Sequence, residues 1–551
     1  MGNPDLADVL SIFRNPGQPG YFRSLEPFPK VELQALHLAA AILNKYEWWT
    51  KVNDADTAAT WEAEALAQGA PAQTVRYVLA KVRHLAANAV RTTAHGATST
   101  PGPVLLTVVS PDAVPADLRD RLRQQVAPLE DVPDLHKDWH PGSDKQVLDL
   151  VHPSLFCLYY NETLLKLTQS STLVRAQPPW EHFIGAGHQP ARVPRRGITG
   201  PAVLLSRKFQ WLPSEIRVDQ NGRPEIASYI NNLHPHHYRD LYATLADVLE
   251  RFIPLFERQL AMLRTAPGPV VEVDMYDLYL GEDYQPGDDE EDEDAAFEAW
   301  QAARPIREIS MPDTYTPPPP APGTGVSFAG RRLQVIFKLA NIHLTPEKPR
   351  YNGGSWHIEG TANEAIVATG IYYYDVENIA DDGRVNLDFR TAIDSPEYDQ
   401  GDSRGVEHVY GLGEDDPLNQ MLGSIATRQD MAVVFPNIFQ HHVAPFELAD
   451  KTRPGHRKIL AMFLVDPSKT IVSTAAVPPQ QIGWYTDALA SSGCLPGLPN
   501  EVIRCIARYV GGLKTFTQAR AKREELMAER RMVVNAADDE LFREPFSLCE
   551  H

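Results

Sequence analysis

The strongest structural signal in this sequence is the segment Gly353-Gly-Ser-Trp-His-Ile-Glu-Gly360. On a β-strand, residues i and i+2 point to the same face, so His357 and Glu359 would present an imidazole and a carboxylate side by side. Such a pair supplies two of the three protein ligands of a facial metal triad. The alternative is an ordinary hydrogen-bonded polar pair on a sheet.

The third ligand has to come from a later strand, and the candidate segment is Phe435-Pro-Asn-Ile-Phe-Gln-His-His-Val-Ala-Pro445. It offers two adjacent histidines, His441 and His442. Two neutral imidazoles and one carboxylate suit Fe(II) and leave part of its coordination sphere open. The open positions can take a bidentate 2-oxo acid and then O₂.

A 2-oxo acid such as 2-oxoglutarate also needs a cation for its distal carboxylate, and the planar fork of arginine suits a bidentate pair. Arg457 begins the last predicted strand, 16 residues after His441. If that strand lies beside the strand of His441, the guanidinium can point into the same cavity. Lys338 and Asn341, on the strand before the motif, are further candidates for contacting 2-oxoglutarate or substrate.

Three tyrosines follow the motif on the next predicted strand. Alternation sends Tyr372 and Tyr374 to one face and Tyr373 to the other. We expect Tyr372 to face the cavity and to hydrogen-bond 2-oxoglutarate or substrate, while at least one of the three packs in the core.

Two other histidine-rich segments carry weaker signals. His136-Lys-Asp138 repeats the H-x-acid pattern, and a chain of this composition contains about two such matches by chance. That segment lies in a charged loop with no strand after it, whereas the motif at His357 has strands on both sides. His234-Pro-His-His237 is interpreted as the start of a long helix rather than as a metal cluster.

The rest of the chain predicts an α+β fold with a double-stranded β-helix, or jelly roll, as its core. Four strands are the main candidates for that core: Leu333–Leu339, Ala365–Tyr374, Met431–Phe435 and Lys458–Val465. A large, mainly helical N-terminal region and a helical C-terminal tail flank it. We expect five regions: 1–198 (mainly helical), 199–283 (hairpin plus long helix), 284–325 (acidic, proline-rich mobile insertion), 326–490 (jelly-roll metal core) and 491–551 (helical tail).

Composition limits the classes of function. The 551 residues carry a net charge of -20, which argues against a nucleic-acid partner. We expect no membrane segment, because the sequence has no apolar run of about 18 residues. The four cysteines are far apart, so disulfides are not expected and the predicted location is the cytoplasm, with the nucleus still open. Composition leaves the oligomeric state undetermined.

Several stretches resemble the large fungal proteins that carry the DUF4246 domain, which are related to 2-oxoglutarate/Fe(II) oxygenases. The similarity extends over roughly 150 to 480 and is carried by these segments: Asp149–Leu155, Phe209–Pro213, Ser228–Pro235, Leu339–Pro346, Gly353–Gly360, Tyr373–Asp375, Gln440–Phe446, Pro454–Leu460 and Phe463–Pro467. This resemblance implies a chemistry class without naming a substrate.

The resemblance to oxygenases implies Fe(II) at His357, Glu359 and His441, with O₂ as cosubstrate and 2-oxoglutarate paired with Arg457. The usual acid of the pattern is Asp, so Glu359 is a departure. The distal histidine usually opens an H-x-V-x-P stretch, which favours His441 over His442.

Some alternatives remain open from the sequence. Arg453 is the second candidate for the 2-oxoglutarate cation. The substrate is a small molecule or a protein side chain, and hydroxylation is the default outcome, although desaturation or cyclisation is open. The rival functions are a jelly-roll binding or scaffold protein without turnover and a cupin-like metal enzyme that does not use 2-oxoglutarate.

Overall fold

A computed structural model describes most of the chain, in the following ranges: 14–15, 18–19, 24–166, 187–193, 204–265, 268–281, 284, 293–318, 325–399, 401–492 and 497–548. Among these residues, no helix combines the length and the apolar character needed to cross a bilayer. The two cysteines described as unpaired thiols are Cys157, which is buried, and Cys505, which is exposed.

Helices occupy both ends of the chain and one long central stretch. They are α1 (Lys30–Leu43), α2 (Trp48–Lys51), α3 (Ala55–Ala67), α4 (Ala72–Asn88), α5 (Ala116–Glu130), α6 (Arg239–Arg264), α7 (Glu293–Ala303), α8 (Ser403–Tyr410), α9 (Ile482–Ser491), α10 (Asn500–Ala507) and α11 (Phe516–Ala537). The long helix predicted within 199–283 is present as α6, whose apolar stripe is buried.

The strands are mostly short outside the C-terminal half. They are β1 (Arg14–Asn15), β2 (Gln18–Pro19), β3 (Arg91–Thr92), β4 (Thr98–Pro101), β5 (Val108–Ser110), β6 (Val147–Val151), β7 (Leu158–Tyr159), β8 (Leu164–Lys166), β9 (Gly187–Pro190), β10 (Phe209–Gln210), β11 (Ser214–Val218), β12 (Pro224–Ile226), β13 (Arg332–Leu344), β14 (Arg350–Tyr351), β15 (Ile366–Glu377), β16 (Val385–Ala392), β17 (Asn419–Thr427), β18 (Ala432–Pro436), β19 (Phe439–Val443), β20 (Phe446–Glu447) and β21 (Gly455–Val465). All four predicted core strands are present, as β13, β15, β18 and β21.

The fold is α+β with antiparallel sheets. The largest sheet has the order β12-β11-β13-β21-β15-β18-β5-β4-β3, with β6 paired to the far half of β13. A smaller sheet has the order β17-β16-β19. The strand order of the large sheet shows no closure into a barrel among the described residues, so the jelly roll remains a prediction.

The two faces of the large sheet have different neighbours. One face packs on α6: a Cβ added at Gly370 would lie 2.8 Å from ring atoms of Phe252 and Phe256. The other face, called here the inner face, bears Phe435, whose ring lies against Phe389 of the small sheet with centroids 5.1 Å apart. The inner face of the large sheet is therefore the face that is turned toward the small sheet.

The charged C-terminal helix docks on the core. Arg523 of α11 is buried and makes a bidentate pair with Asp138, at 2.5 and 2.7 Å. Arg530 of the same helix lies 2.7 Å from the Glu364 carboxylate. Two buried ion pairs anchor this helix, although its sequence looks suited to solvent.

The acidic, proline-rich stretch 284–325 was predicted to be a mobile insertion. Residues 285–292 and 319–324, which hold most of the acidic run and of the proline run, lie outside the described residues. The described part includes α7 and the buried Met311, which packs in a hydrophobic cluster with α1 and α4. Met311 therefore orders part of this stretch, and the division into five regions stays a prediction.

Candidate metal centre

The segment that carries the predicted motif lies alongside β19. The His357 amide donates to the His441 carbonyl at 3.2 Å, and the His441 amide donates back to the His357 carbonyl at 3.0 Å. Gly353 has φ +92°, and a Cβ there would lie 2.8 Å from the Val443 carbonyl oxygen. Glycine is needed at this position because the loop approaches β19 so closely. The pairing places two histidines from distant parts of the chain directly opposite each other.

The structure brings the side chains of His357, Glu359 and His441 together. Glu359 Oε1 lies 3.5 Å from His441 Nε2 and 3.8 Å from His357 Nε2. One potential ligand atom from each of the three residues lies within 4.8 Å of the others. Glu359 Oε1 can share one ion with either imidazole, because two ligand atoms with bonds of about 2.0–2.2 Å can lie up to roughly 4 Å apart.

The hydrogen bonds of His357 fix which of its nitrogens is available. Its Nδ1 lies 2.8 Å from the Ser355 carbonyl oxygen, which can only accept. The proton therefore sits on Nδ1, and the lone pair of Nε2 points toward Glu359. A backbone partner that orients the outer nitrogen is usual for a metal-binding imidazole.

The protonation states of His357 and Glu359 also suit metal binding. Burial, together with the neighbouring His441, lowers the pKa of His357 to about 4. Burial acts to raise the pKa of Glu359, but the neighbouring imidazoles of His441 and His357 outweigh it, and the pKa falls to about 2. Neutral imidazoles and an ionised carboxylate are the forms that coordinate a metal. This donor set, with no thiolate, fits Fe(II).

Asn437 is a residue of this region that sequence reasoning missed. It occupies the turn between β18 and β19 and is fully buried. Its Oδ1 accepts from the Glu359 amide at 2.8 Å, and its Nδ2 donates to the carbonyls of Glu359 at 2.9 Å and Ile366 at 3.1 Å. The only sequence signal was the Pro-Asn turn after a buried strand, which does not name a partner 78 residues away.

Arg457 lies on the inner face, at the start of β21. It is 2% exposed, and its guanidinium stacks over the Tyr373 ring at 4.2 Å and donates to the Thr427 hydroxyl. Among the described residues, no carboxylate lies within ion-pair distance of it. Because a buried unpaired charge is costly, this arrangement suits an anionic ligand. Burial lowers the pKa of Arg457 from its usual value.

Arg453, the second candidate for this role, points away from the sheets. Its side chain is 64% exposed and is paired with Asp450 at 2.9 Å. It already has a carboxylate partner in solvent, so the geometry favours Arg457.

The other predicted contacts divide between the two faces of the large sheet. Lys338 shares the inner face with Arg457, since Lys338 pairs with Ala461 on the strand of Arg457. Its ammonium has no ion pair among the described residues. Its charge contributes to lowering the pKa of Glu359, which places it on the side of the triad.

The structure corrects the choice of Asn341 and Tyr372. In the register of β13, β21 and β15, both residues point to the face that packs on helices, away from the triad. Asn341 accepts a hydrogen bond from Tyr374 there, at 3.3 Å. Tyr373 lies on the inner face, which was expected of Tyr372, and its ring packs against the Arg457 guanidinium.

His442 lies on the opposite side of β19 from His441. Its Nε2 is 3.2 Å from an Asp388 carboxylate oxygen, and its ring packs edge-on against Trp356 at 4.2 Å. The His442 side chain therefore lies away from the triad and packs against Trp356.

Two further histidine and acid clusters occur in the described residues. In the first, His140 Nδ1 lies 2.8 Å from Asp149, and Arg523 Nη1 lies 3.5 Å from the same carboxylate. The Ser154 amide donates to His152 Nδ1, so the proton of His152 is on Nε2. Asp149 Oδ2 is therefore already engaged by His140 and Arg523, which gives this carboxylate a role in anchoring α11.

The second cluster joins His234, His237 and Asp487. The amides of His236 and His237 donate to His234 Nδ1 at 3.2 and 3.3 Å, just before α6. His234 Nδ1 therefore accepts hydrogen bonds from the turn that leads into α6.

Comparison with known proteins follows from this geometry. The family described as "Protein of unknown function (DUF4246)" matches residues 72–488. The chain belongs to this family. No curated protein sequence matches the chain.

Several solved structures are similar to parts of the chain. One, titled "Selenomethionine labeled Fe(II)/(alpha)ketoglutarate-dependent dioxygenase TqaL", is 14% identical, with 27% of this chain and 46% of that chain covered and a TM-score of 0.16. IDO from Bacillus thuringiensis is 13% identical over 24% of this chain and 46% of its own, with a TM-score of 0.16. A bsmA homolog from Methylobium petroleophilum PM1 is 10% identical over 65% and 87%, with a TM-score of 0.24. The chain spans about half the length of the first two. At these TM-scores, functional conclusions have to come from the side chains described above.

Proposed function

We propose that this protein is a non-haem Fe(II)- and 2-oxoglutarate-dependent oxygenase. The observation that carries the proposal is the convergence of His357, Glu359 and His441, from two distant segments, with ligand atoms within 4.8 Å. The state of the side chains, with Nε2 of His357 left free and Glu359 ionised, supports it. Two imidazoles and one carboxylate are the protein ligands of non-haem Fe(II) oxygenases.

Arg457 supports 2-oxoglutarate as the cosubstrate. Its guanidinium reaches from β21 to Thr427 of the small sheet, on the same side of the large sheet as the triad. Along β16, the row of Thr427 is four residues from the row of His441, which is roughly 14 Å along the strand direction, and the two residues lie on the strands on either side of β16. The distal carboxylate of 2-oxoglutarate would lie at the Arg457 end of the space between the sheets, and its 2-oxo acid group at the triad end.

We further propose that the two facing sheets form a double-stranded β-helix core. The strand order β13-β21-β15-β18 in one sheet and β17-β16-β19 in the other supports this, because the triad and Arg457 then lie between the layers.

The side chains of the candidate site would have separate roles. His357, Glu359 and His441 would hold the metal on one side, and Arg457, oriented by Tyr373 and Thr427, would bind the distal carboxylate of 2-oxoglutarate. When bound, Fe(II) and 2-oxoglutarate would supply electrons to O₂, so that one oxygen atom enters a C–H bond of the substrate and the other enters succinate, with loss of CO₂. The apolar rings of Phe389 and Phe435, with centroids 6.1 and 4.7 Å from that of His441, would keep water from the back of the site.

Conversion of 2-oxoglutarate to succinate tests the proposal. We expect the protein, incubated in air with Fe(II) and 2-oxoglutarate, to form succinate, and the Glu359→Ala variant to fall to the level of free Fe(II). Succinate is measured by mass spectrometry against an anaerobic control. Fe(II) binding without succinate formation would favour a cupin-like enzyme that does not use 2-oxoglutarate. Absence of metal binding would favour a scaffold protein.

A further inference from the structure

The position of Glu359 is fixed by a single buried side chain, that of Asn437. The carboxamide holds both the amide and the carbonyl of Glu359, and its remaining hydrogen bond goes to the carbonyl of Ile366 at the start of β15. The backbone amide of Asn437 donates to the Val367 carbonyl at 2.9 Å. Residue 359 is therefore tied to the large sheet at two backbone atoms and has little freedom to move along the strand direction.

The distances in the triad show how far the carboxylate has to reach. Two ligands at right angles around an ion with bonds of about 2.1 Å lie roughly 3 Å apart. Glu359 Oε1 is 3.5 and 3.8 Å from the two imidazole nitrogens, so it already stands slightly outside that spacing. A side chain shorter by one methylene would retract the carboxylate by more than about 1 Å.

We propose that Asn437 is a positioning residue that makes glutamate, and not aspartate, the required acid at position 359. The hydrogen bonds between the Asn437 carboxamide and the backbone of Glu359, called here the clamp, hold residue 359 at a distance from the two histidines. The glutamate side chain is long enough to span this distance, and an aspartate side chain is not. This inference rests on the proposed function, because it assumes that the three side chains share one metal ion.

The proposal predicts a particular pattern in a double-mutant cycle. With the clamp intact, Glu359→Asp should weaken metal binding at least 100-fold, because the backbone cannot move in to compensate. Asn437→Ala alone should weaken it 10- to 100-fold, the range found when partners that orient a metal ligand are removed. In the aspartate background, removing the clamp should cost less than tenfold or should restore affinity, because the backbone of residue 359 can then approach the metal.

Co(II) is the probe, because it replaces Fe(II) without oxidation in air and its visible spectrum reports coordination. The dissociation constant and the spectrum are measured by titration of the full-length wild type and of the two single variants and the double variant. Asn437→Asp is a second variant that keeps the acceptor for the Glu359 amide but sets a carboxylate oxygen against the carbonyls of Glu359 and Ile366, so it should weaken Co(II) binding at least as much as Asn437→Ala.

Asn378→Ala is the matched control. Asn378 makes the same kind of clamp elsewhere: its Nδ2 donates to the carbonyls of Asp450 and Arg453, each at 2.9 Å, and its Oδ1 accepts from the Asp450 amide at 2.8 Å. We expect this variant to lose thermal stability as Asn437→Ala does, while its Co(II) affinity and spectrum remain those of the wild type.

The outcomes are distinct. The inference would be overturned if Glu359→Asp bound Co(II) as tightly as the wild type. This variant leaves the clamp intact, so its result does not depend on whether the Asn437 variants fold. Losses that simply multiply in the double variant would also overturn it. A wild type that binds no Co(II) would instead contradict the proposed function itself.

Discussion

Replacing His441 by alanine is expected to abolish metal binding at micromolar concentrations. His441 is the histidine of β19 whose side chain lies beside the other two ligands, with its Nε2 3.5 Å from Glu359 Oε1. Its loss leaves two ligands, and the fall in affinity should exceed the 10- to 100-fold effect of removing a residue that only orients a ligand. Titration with Fe(II) under nitrogen, or with Co(II), measures the change.

His442→Ala is the control for this variant. The two histidines are neighbours in sequence, but His442 faces Asp388 and Trp356 on the other side of β19. We expect this variant to lose some stability and to keep the metal affinity of the wild type. If His442→Ala lost the metal and His441→Ala kept it, the assignment of the triad would be wrong.

Replacing Arg457 by methionine is expected to weaken 2-oxoglutarate binding by roughly 30-fold or more and to leave metal affinity unchanged. Losing one member of a buried charge pair costs about 2–5 kcal/mol, and each 1.4 kcal/mol is a factor of ten. Isothermal titration of the metal-loaded protein with 2-oxoglutarate, under nitrogen, measures the first quantity, and titration of the metal-free protein with Co(II) measures the second.

The same variant has a second signature in the absence of ligand. Among the described residues, Arg457 has no carboxylate partner. Without ligand, Arg457→Met should therefore have a melting temperature equal to or higher than that of the wild type. Arg453→Met is the matched control, because Arg453 lies four residues earlier, is exposed and is paired with Asp450. A loss of 2-oxoglutarate affinity in Arg453→Met alone would reverse the assignment of the two arginines.

The pairing of His357 with Glu359 could be predicted from sequence because it depends on local spacing. The structure adds that the segment is only briefly strand-like: His357 forms an isolated bridge to His441, and Glu359 lies in a bend. The choice of His441 over His442 rested on the H-x-V-x-P stretch of the family resemblance, and the geometry favours it. The strands of the core could be predicted because they are long and apolar.

The choice between adjacent tyrosines could not be made from sequence. Alternation correctly placed Tyr373 opposite to its neighbours, but nothing in the sequence says which face of β15 meets the small sheet. That depends on the register with β21, which includes a bulge between Tyr373 and Asp375. The same uncertainty explains Asn341, whose neighbour across the ladder is Lys458 rather than Arg457.

Contacts between distant segments were also beyond sequence reasoning. Asn437 and Thr427 have polar side chains that are common in turns and strand ends, and their partners are identified only by the folded chain. The docking of α11 through Arg523 is similar, because an exposed charged helix and one anchored by buried ion pairs have the same composition.

The most direct test of the central claim is an anaerobic titration of the iron-loaded protein with 2-oxoglutarate, followed by visible absorption. If His357, Glu359 and His441 hold Fe(II) with open positions beside Arg457, the chelated 2-oxo acid should produce a charge-transfer band that is absent in His357→Ala and appears only at higher 2-oxoglutarate concentration in Arg457→Met. A wild-type protein that binds Fe(II) and shows no band at saturating 2-oxoglutarate would contradict the account.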